Sequence, residues 1–209
     1  MMLHSVPNSA FNKYFMAFGK SLAIAEKFET TCKFILQTAL IESELKSKNI
    51  NFYDLFDPNS KKGKKLRKLT NGGIAKYNGP AIVKNGIISE FVISKLTTAI
   101  DSRNWLAHSS MVGIAYSFGE GNTLREFDDA LIDLEKHVIN IAIGEYICGS
   151  IEYEINNKVP YYDSDQQDYY ASKIKDWVLD YDGKIASGFN ILQSYFYEIK
   201  KAKSKPATY

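Results

Sequence analysis

Residues 10–46 read AFNKYFMAFGKSLAIAEKFETTCKFILQTALIESELK. Within them Phe11, Phe15, Phe18, Leu22, Ala25, Cys32 and Leu36 recur at steps of four and three, with Glu29 the one interruption. Steps of that size put side chains on one face of a helix, so the stretch predicts a long amphipathic helix. Lys46 and Lys48 suit its C-terminal end, where backbone carbonyls leave a partial negative charge. Asp57-Pro58-Asn59 then marks a turn.

The same period returns further along. Ile88, Val92, Leu96 and Ala99, with Ile87, Phe91 and Ile100 beside them, predict a helix over residues 87–106. Leu124, Phe127, Leu131, Leu134, Val138, Ile141, Cys148, Ile151 and Ile155 predict a long helix ending near Asn157. Thr123 is its expected cap and Glu126 the capping-box partner. Two shorter helices are expected over residues 170–181 and 184–201. Residues 70–86, with Asn71-Gly72-Gly73, Asn78-Gly79-Pro80 and Asn85-Gly86, read as an irregular connection or a hairpin. The expectation is an all-α, up-and-down helical bundle over residues 1–159, followed by a C-terminal helical extension over residues 160–209 with a disordered tail.

Composition fits this. The 209 residues are 45% hydrophobic and 24% charged, which is ordinary for a globular chain and excludes a disordered one. No stretch approaches the ~18–20 uninterrupted apolar residues of a membrane span. Met1 to Asn12 lacks a basic region followed by an apolar run, so no secretory signal is expected and the protein is read as cytoplasmic. Cys32 and Cys148, far apart in the chain, are expected to be reduced, packed thiols. No Cys/His spacing predicts zinc, so neither metal nor cofactor is expected. The net charge of +2 hides an asymmetry: residues 1–68 carry 12 Lys and Arg against 6 Asp and Glu, and residues 119–168 carry 3 against 12. That pattern suits a polyanionic ligand on one face, or two self-complementary surfaces.

The chemically suggestive segment is Arg103-Asn104-Trp105-Leu106-Ala107-His108. Positions 92, 96, 99 and 103 continue one series of helical steps, so Arg103 falls on the apolar row, where a guanidinium is costly unless paired or open to a cleft. His108 follows five residues later. On an uninterrupted helix it points well away from Arg103, so bringing the two to one site requires the helix to end or bend around Ala107-His108-Ser109-Ser110. A guanidinium is the natural fork for a phosphate, and an imidazole exchanges its proton near neutral pH. Together they suit chemistry at a phosphodiester.

Arg103-x4-His108, with Asn104 directly after the arginine and the whole at a helix end, resembles the R-x4–6-H signature of the HEPN superfamily of helical-bundle proteins. The resemblance covers residues 10–158. It implies a metal-independent endoribonuclease of the toxin–antitoxin or antiviral-defence type, acting on RNA as a homodimer with a composite active site, with an antitoxin or defence-system protein as a further partner. It implies that His108 is the general acid/base, that Arg103 stabilises charge on phosphorus, and that Asn104 orients the pair or binds the phosphate. Products are then a 2′,3′-cyclic phosphate and a 5′-hydroxyl. One subfamily carries a tyrosine modification acceptor two residues after the histidine; this chain has Ser110 there. Other members are catalytically silent and only bind nucleotide, RNA or a protein partner, and that alternative stands beside the first.

Several residues carry two readings. Glu29 and Lys33 resemble an E-x3-K pattern of some HEPN proteins; Glu29 then anchors Arg103 or positions the site, or equally the two form an ordinary i,i+4 pair. Lys61, Lys62, Lys64, Lys65, Arg67 and Lys68 form a cluster that either grips an RNA backbone or is a solvated face. His137 reads as a satisfied histidine at the edge of the core, and Glu145 as a buried polar contact to another helix or protomer. Tyr161, Tyr162, Tyr169 and Tyr170 either stack on bases or pack an appendage.

Overall fold

The computed structural model describes residues 8–46, 57, 59–61, 63–64, 90–110, 124–157 and 162–181. They form four helices: α1 (Asn8–Lys46), α2 (Glu90–His108), α3 (Leu124–Asn157) and α4 (Ser164–Val178). No strand occurs among the described residues, so this part of the chain is all-helical. None of these helices is long and apolar enough to cross a membrane.

Side-chain contacts give the helix directions. Tyr14 donates to the Ser110 carbonyl at 3.3 Å and Glu29 pairs with Arg103, so α2 runs back along α1. Asn140 donates to Ser102 at 3.0 Å and His137 stacks on Trp105, so α3 runs back along α2. Lys175 pairs with Glu135 at 3.5 Å and Tyr170 with Glu145, so α4 runs back along α3. Successive helices alternate in direction, and α3 packs against all the others.

The core is one cluster drawn from all four helices, including Tyr14, Phe28, Leu96, Leu106, Leu134, Ile141, Ile147 and Ile174. On α1 the sealed face differs from the expected row. Tyr14, Ala17, Ser21, Ile24, Ala25, Phe28, Cys32 and Ile35 are buried, whereas Phe15 and Leu22 are 38% and 40% exposed. Both rows fit steps of three and four because α1 carries apolar residues nearly all round. Packing on α3 selects the row that includes Ser21, whose hydroxyl donates to the Ala17 carbonyl at 2.7 Å and so enters the core satisfied.

The inner face of α3 has a hydrogen in place of a side chain at Gly144. A Cβ there would overlap Ala99 Cβ of α2 and lie 2.9 Å from Phe28 Cε2 of α1. Three helices therefore meet at that point at a separation only glycine permits. One residue on, Glu145 is buried, and its carboxylate bonds Lys27 of α1 at 2.9 Å and the Tyr170 hydroxyl of α4. A carboxylate is tolerated there because both oxygens are occupied.

Helix α4 begins earlier than its periodicity predicts, at Ser164 rather than near residue 170. Asp163 caps it, accepting from Asp165 N at 2.9 Å and Gln166 N at 3.3 Å. The Tyr- and Asp-rich run hides a helix because its buried polar residue is satisfied. Gln167 accepts from Lys95 at 3.0 Å and from the Tyr162 hydroxyl at 2.7 Å. At the other end Lys20 of α1 donates to the carbonyls of Trp177 and Asp180, at 2.9 and 2.6 Å. Tyr170, Ala171, Ile174 and Val178 thereby join the common core. Helix α2 starts at Glu90 and runs on to His108, and α3 has the expected bounds. The Thr123 cap, the connection 70–86 and the helix expected over 184–201 lie outside the described residues.

Two glycine substitutions are expected to move stability in opposite directions. Gly144→Ala forces α1 or α2 off α3 and lowers stability by about 1–3 kcal/mol or more. Gly19→Ala, on α1 with nothing within 4 Å of the new Cβ, raises it by about 0.5–1 kcal/mol by reducing unfolded-chain entropy. Thermal melts of both variants check this, at roughly 2–4 °C per kcal/mol.

Candidate functional site

Arg103 lies on the packed row of α2 between Ala99 and Leu106, both buried. Its side chain remains 26% exposed. One guanidinium nitrogen, Nη2, donates to Glu29 Oε2 across the α1–α2 contact, and Nη1 donates to Asn104 Oδ1 at 3.3 Å. The other carboxylate oxygen of Glu29 accepts from Lys33 Nζ at 2.7 Å. Both readings of Glu29 therefore hold together: it pairs one turn along its own helix and also holds Arg103.

Two cations share one carboxylate, so the group formed by Glu29, Lys33 and Arg103 carries one positive charge in excess. Lys33 is 42% exposed, so that charge is open to solvent. Burial alone would raise the Glu29 carboxyl, but the hydrogen bonds and charges of Lys33 and Arg103 outweigh it and hold the group below the usual carboxylate range. The carboxylate stays ionised, and an anion approaching this edge meets Lys33, the outer side of the guanidinium and the Asn104 amide.

His108 is the last residue of α2 and is exposed. The helix thus ends within the stretch 107–110 where an end or bend was expected, but its path stays helical through the histidine. Ser109 N donates to the Trp105 carbonyl at 2.8 Å, and the Ser110 hydroxyl donates to the Leu106 carbonyl at 2.6 Å. These bonds offset the low helix propensity of the two serines and carry the helical path through the histidine. Five residues of helix turn His108 roughly 140° from Arg103 and about 7.5 Å along the axis. Asn104, one turn before His108, lies between them and is also exposed. The fold thus gathers Arg103, Asn104, Glu29 and Lys33, and leaves His108 on the outer face of the same helix end.

Trp105, within the motif but given no role from sequence, packs against the core and stacks on His137 of α3, with ring centroids 4.0 Å apart and planes 16° from parallel. His137 Nδ1 is buried with no hydrogen-bond partner among the described residues. The ring is held by stacking on Trp105, and its Nδ1 lacks, among the described residues, the partner expected of a satisfied core-edge histidine. Burial pushes its pKa below the ordinary value, Lys136 adds to the effect and Asp133 opposes it. A neutral imidazole suits a stacked position. The sequence signal for this pair was available in principle, since Trp105 flanks the packed row of α2 and His137 that of α3. Periodicity says only that each sits at an edge, not that the edges meet.

Of the basic cluster, Lys61 and Lys64 are exposed beside a turn in which Asn59 N donates to Asp57 Oδ1 at 2.9 Å and Gly63 N to Ser60 Oγ at 2.8 Å. Lys62, Lys65, Arg67 and Lys68 lie outside the described residues. Among the described residues no group of three or more His, Cys, Asp or Glu side chains could hold a metal ion. Set against known protein families, curated proteins and solved structures, the chain matches none of them.

The Glu29 bridge has a pH signature. Its folded pKa is depressed, so its contribution to stability is present above the unfolded carboxyl pKa and fades as pH falls through the lowered folded value. Glu29→Gln is expected to lower stability at pH 7 by on the order of 1 kcal/mol, read as a Tm drop of roughly 2–4 °C. The difference from wild type should shrink below about pH 4. Thermal melts across that range check it; an equal gap at pH 3 and pH 7 contradicts the ion-pair account.

Proposed function

We propose that this chain is a metal-independent endoribonuclease of HEPN type. It works as a homodimer in a toxin–antitoxin or phage-defence setting, with an antitoxin or defence-system protein as its partner. The four described helices are then the body of an up-and-down HEPN bundle extended by residues 160–209. The observation that carries the reading is the arrangement at the end of α2: Arg103 anchored by Glu29, Asn104 beside it, and His108 exposed at the helix terminus.

In this reading the RNA phosphate lies against Arg103, Asn104 and Lys33. His108 accepts the proton of the ribose 2′-hydroxyl, and that oxygen attacks phosphorus. The bond to the 5′-oxygen breaks, and the leaving oxygen takes a proton from the His108 imidazole of the other protomer. Arg103 stabilises the extra charge on the phosphorane-like transition state. The products are a 2′,3′-cyclic phosphate and a 5′-hydroxyl. Because Arg103 and His108 point in different directions on one helix, the cleft is composite: the guanidinium of one protomer works with the imidazole of its partner.

The helical path through His108 also favours a second reading, in which the same positively charged edge binds nucleotide, RNA or a protein without chemistry. One experiment separates the two. Purified protein is incubated with RNA in EDTA, beside His108→Ala and Arg103→Ala. The nuclease reading expects cleavage by wild type and a loss of roughly 100-fold or more in each variant. It also expects an unchanged Tm for His108→Ala, whose side chain is exposed, and cyclic-phosphate ends. Salt-sensitive binding with no product ends supports the binding module, and equal cleavage by all three proteins removes the site assignment.

A further inference from the structure

The chain has only two cysteines. They lie 116 positions apart, and the fold brings their sulfurs to 3.4 Å in the seam between α1 and α3. Both side chains are completely buried and both are free thiols. Forming a bond requires the sulfurs to approach by about another 1.4 Å, a small adjustment for two side chains already in contact. The pair sits one turn beyond the close approach at Phe28 and Gly144, where the backbones of α1 and α3 are held near each other.

Cys32 and Cys148 are free, packed thiols, as the sequence leads one to expect; we infer that they close into a cystine when the chain folds in the presence of an oxidising low-molecular-weight disulfide. One cysteine thiolate attacks a sulfur of the small disulfide and expels one small thiolate. The second cysteine thiolate then attacks the protein sulfur of the mixed disulfide and expels the other. Two electrons and two protons leave the protein, and one small disulfide becomes two thiols.

Burial explains why the step belongs to folding. In the folded chain the hydrogen bond between the two sulfurs, burial, and the neighbouring Cys32, Glu145 and Glu152 push the Cys148 thiol well above its ordinary value. A protonated, sealed thiol is a poor nucleophile. In the unfolded chain both thiols are open and have ordinary acidity. Once closed, the bond is shielded from reductants by the same core. The folded protein would thus retain a record of the redox conditions under which it folded. Closing a 116-residue separation also restricts the unfolded ensemble strongly.

Reduced, unfolded protein is refolded in a mixture of oxidised and reduced glutathione, and in parallel with excess reductant alone. The glutathione sample is expected to show no titratable thiol in denaturant, where the reductant sample, freed of reductant, shows two. Peptide mapping should find Cys32 joined to Cys148, and Tm should rise by roughly 8–12 °C. Glutathione added to protein already folded in the reduced form should close the bond on the order of 100-fold more slowly. Cys32→Ala and Cys148→Ala should each abolish the linked peptide and the dependence of Tm on the refolding buffer. Two free thiols after oxidative refolding, a link between chains instead of within one, or a lower Tm for the cross-linked form overturns the proposal. Each of these is read on the wild-type chain and does not depend on an alanine variant folding.

Discussion

The absence of a side chain at residue 144 is the constraint on which the rest depends. It lets Phe28 of α1 and Ala99 of α2 both press against α3, within distances that any Cβ would violate. Interiors pack at near-crystalline density, so such a point fixes its surroundings closely. Glu29 follows Phe28, and Arg103 lies one turn beyond Ala99. The ion pair at the candidate site is therefore a consequence of the contact at Gly144. The meeting of Cys32 and Cys148 one turn further along the same seam has the same origin, since both are four residues past a contact residue and α1 and α3 run in the same direction.

The polar groups inside the bundle follow a common logic. Glu145 is buried yet tied to Lys27 and Tyr170, so one carboxylate joins three helices. Gln167 is buried yet bound to Lys95 and Tyr162. A satisfied buried polar group contributes less to stability than an apolar one of the same shape, but leaving its partners unpaired is costly. Such groups fix which helix neighbours which, and here they seat α4 against α2 and α3. Lys20 completes the arrangement from α1 by taking up carbonyls at the C-terminal end of α4.

At the candidate site the balance of charge matters more than any single residue. Glu29 neutralises one of two cations and orients the other; on the proposed reading this lets the edge attract an anion without exposing a bare guanidinium. Arg103 is held from two sides, by Glu29 and Asn104, which limits the freedom it must surrender to a ligand. Among the described residues His108, at an exposed helix end, has no comparable restraint. On the proposed reading the edge is preorganised to bind a phosphate, and the placement of the imidazole over it falls to the partner protomer.

Read alone, the chain determines its helices, because a helix is a local object: steps of three and four place apolar residues on a face regardless of what covers it. It also places Arg103 on the packed row of α2, and so shows that the guanidinium needs a partner. The partner itself was visible only as an acidic interruption at Glu29. Other matters are non-local and only the tertiary structure decides them. Which of two apolar rows on α1 is sealed depends on α3, so Tyr14 and Phe28 are buried while Phe15 and Leu22 are exposed. Whether the Tyr- and Asp-rich run before residue 170 is helical depends on an Asp163 cap and on partners for Gln167 from another helix. Where in the stretch 107–110 α2 ends depends on the bonds of Ser109 and Ser110 to the preceding turn, which keep the path helical through His108. Periodicity says which residues share a face; only packing says which face is the inside.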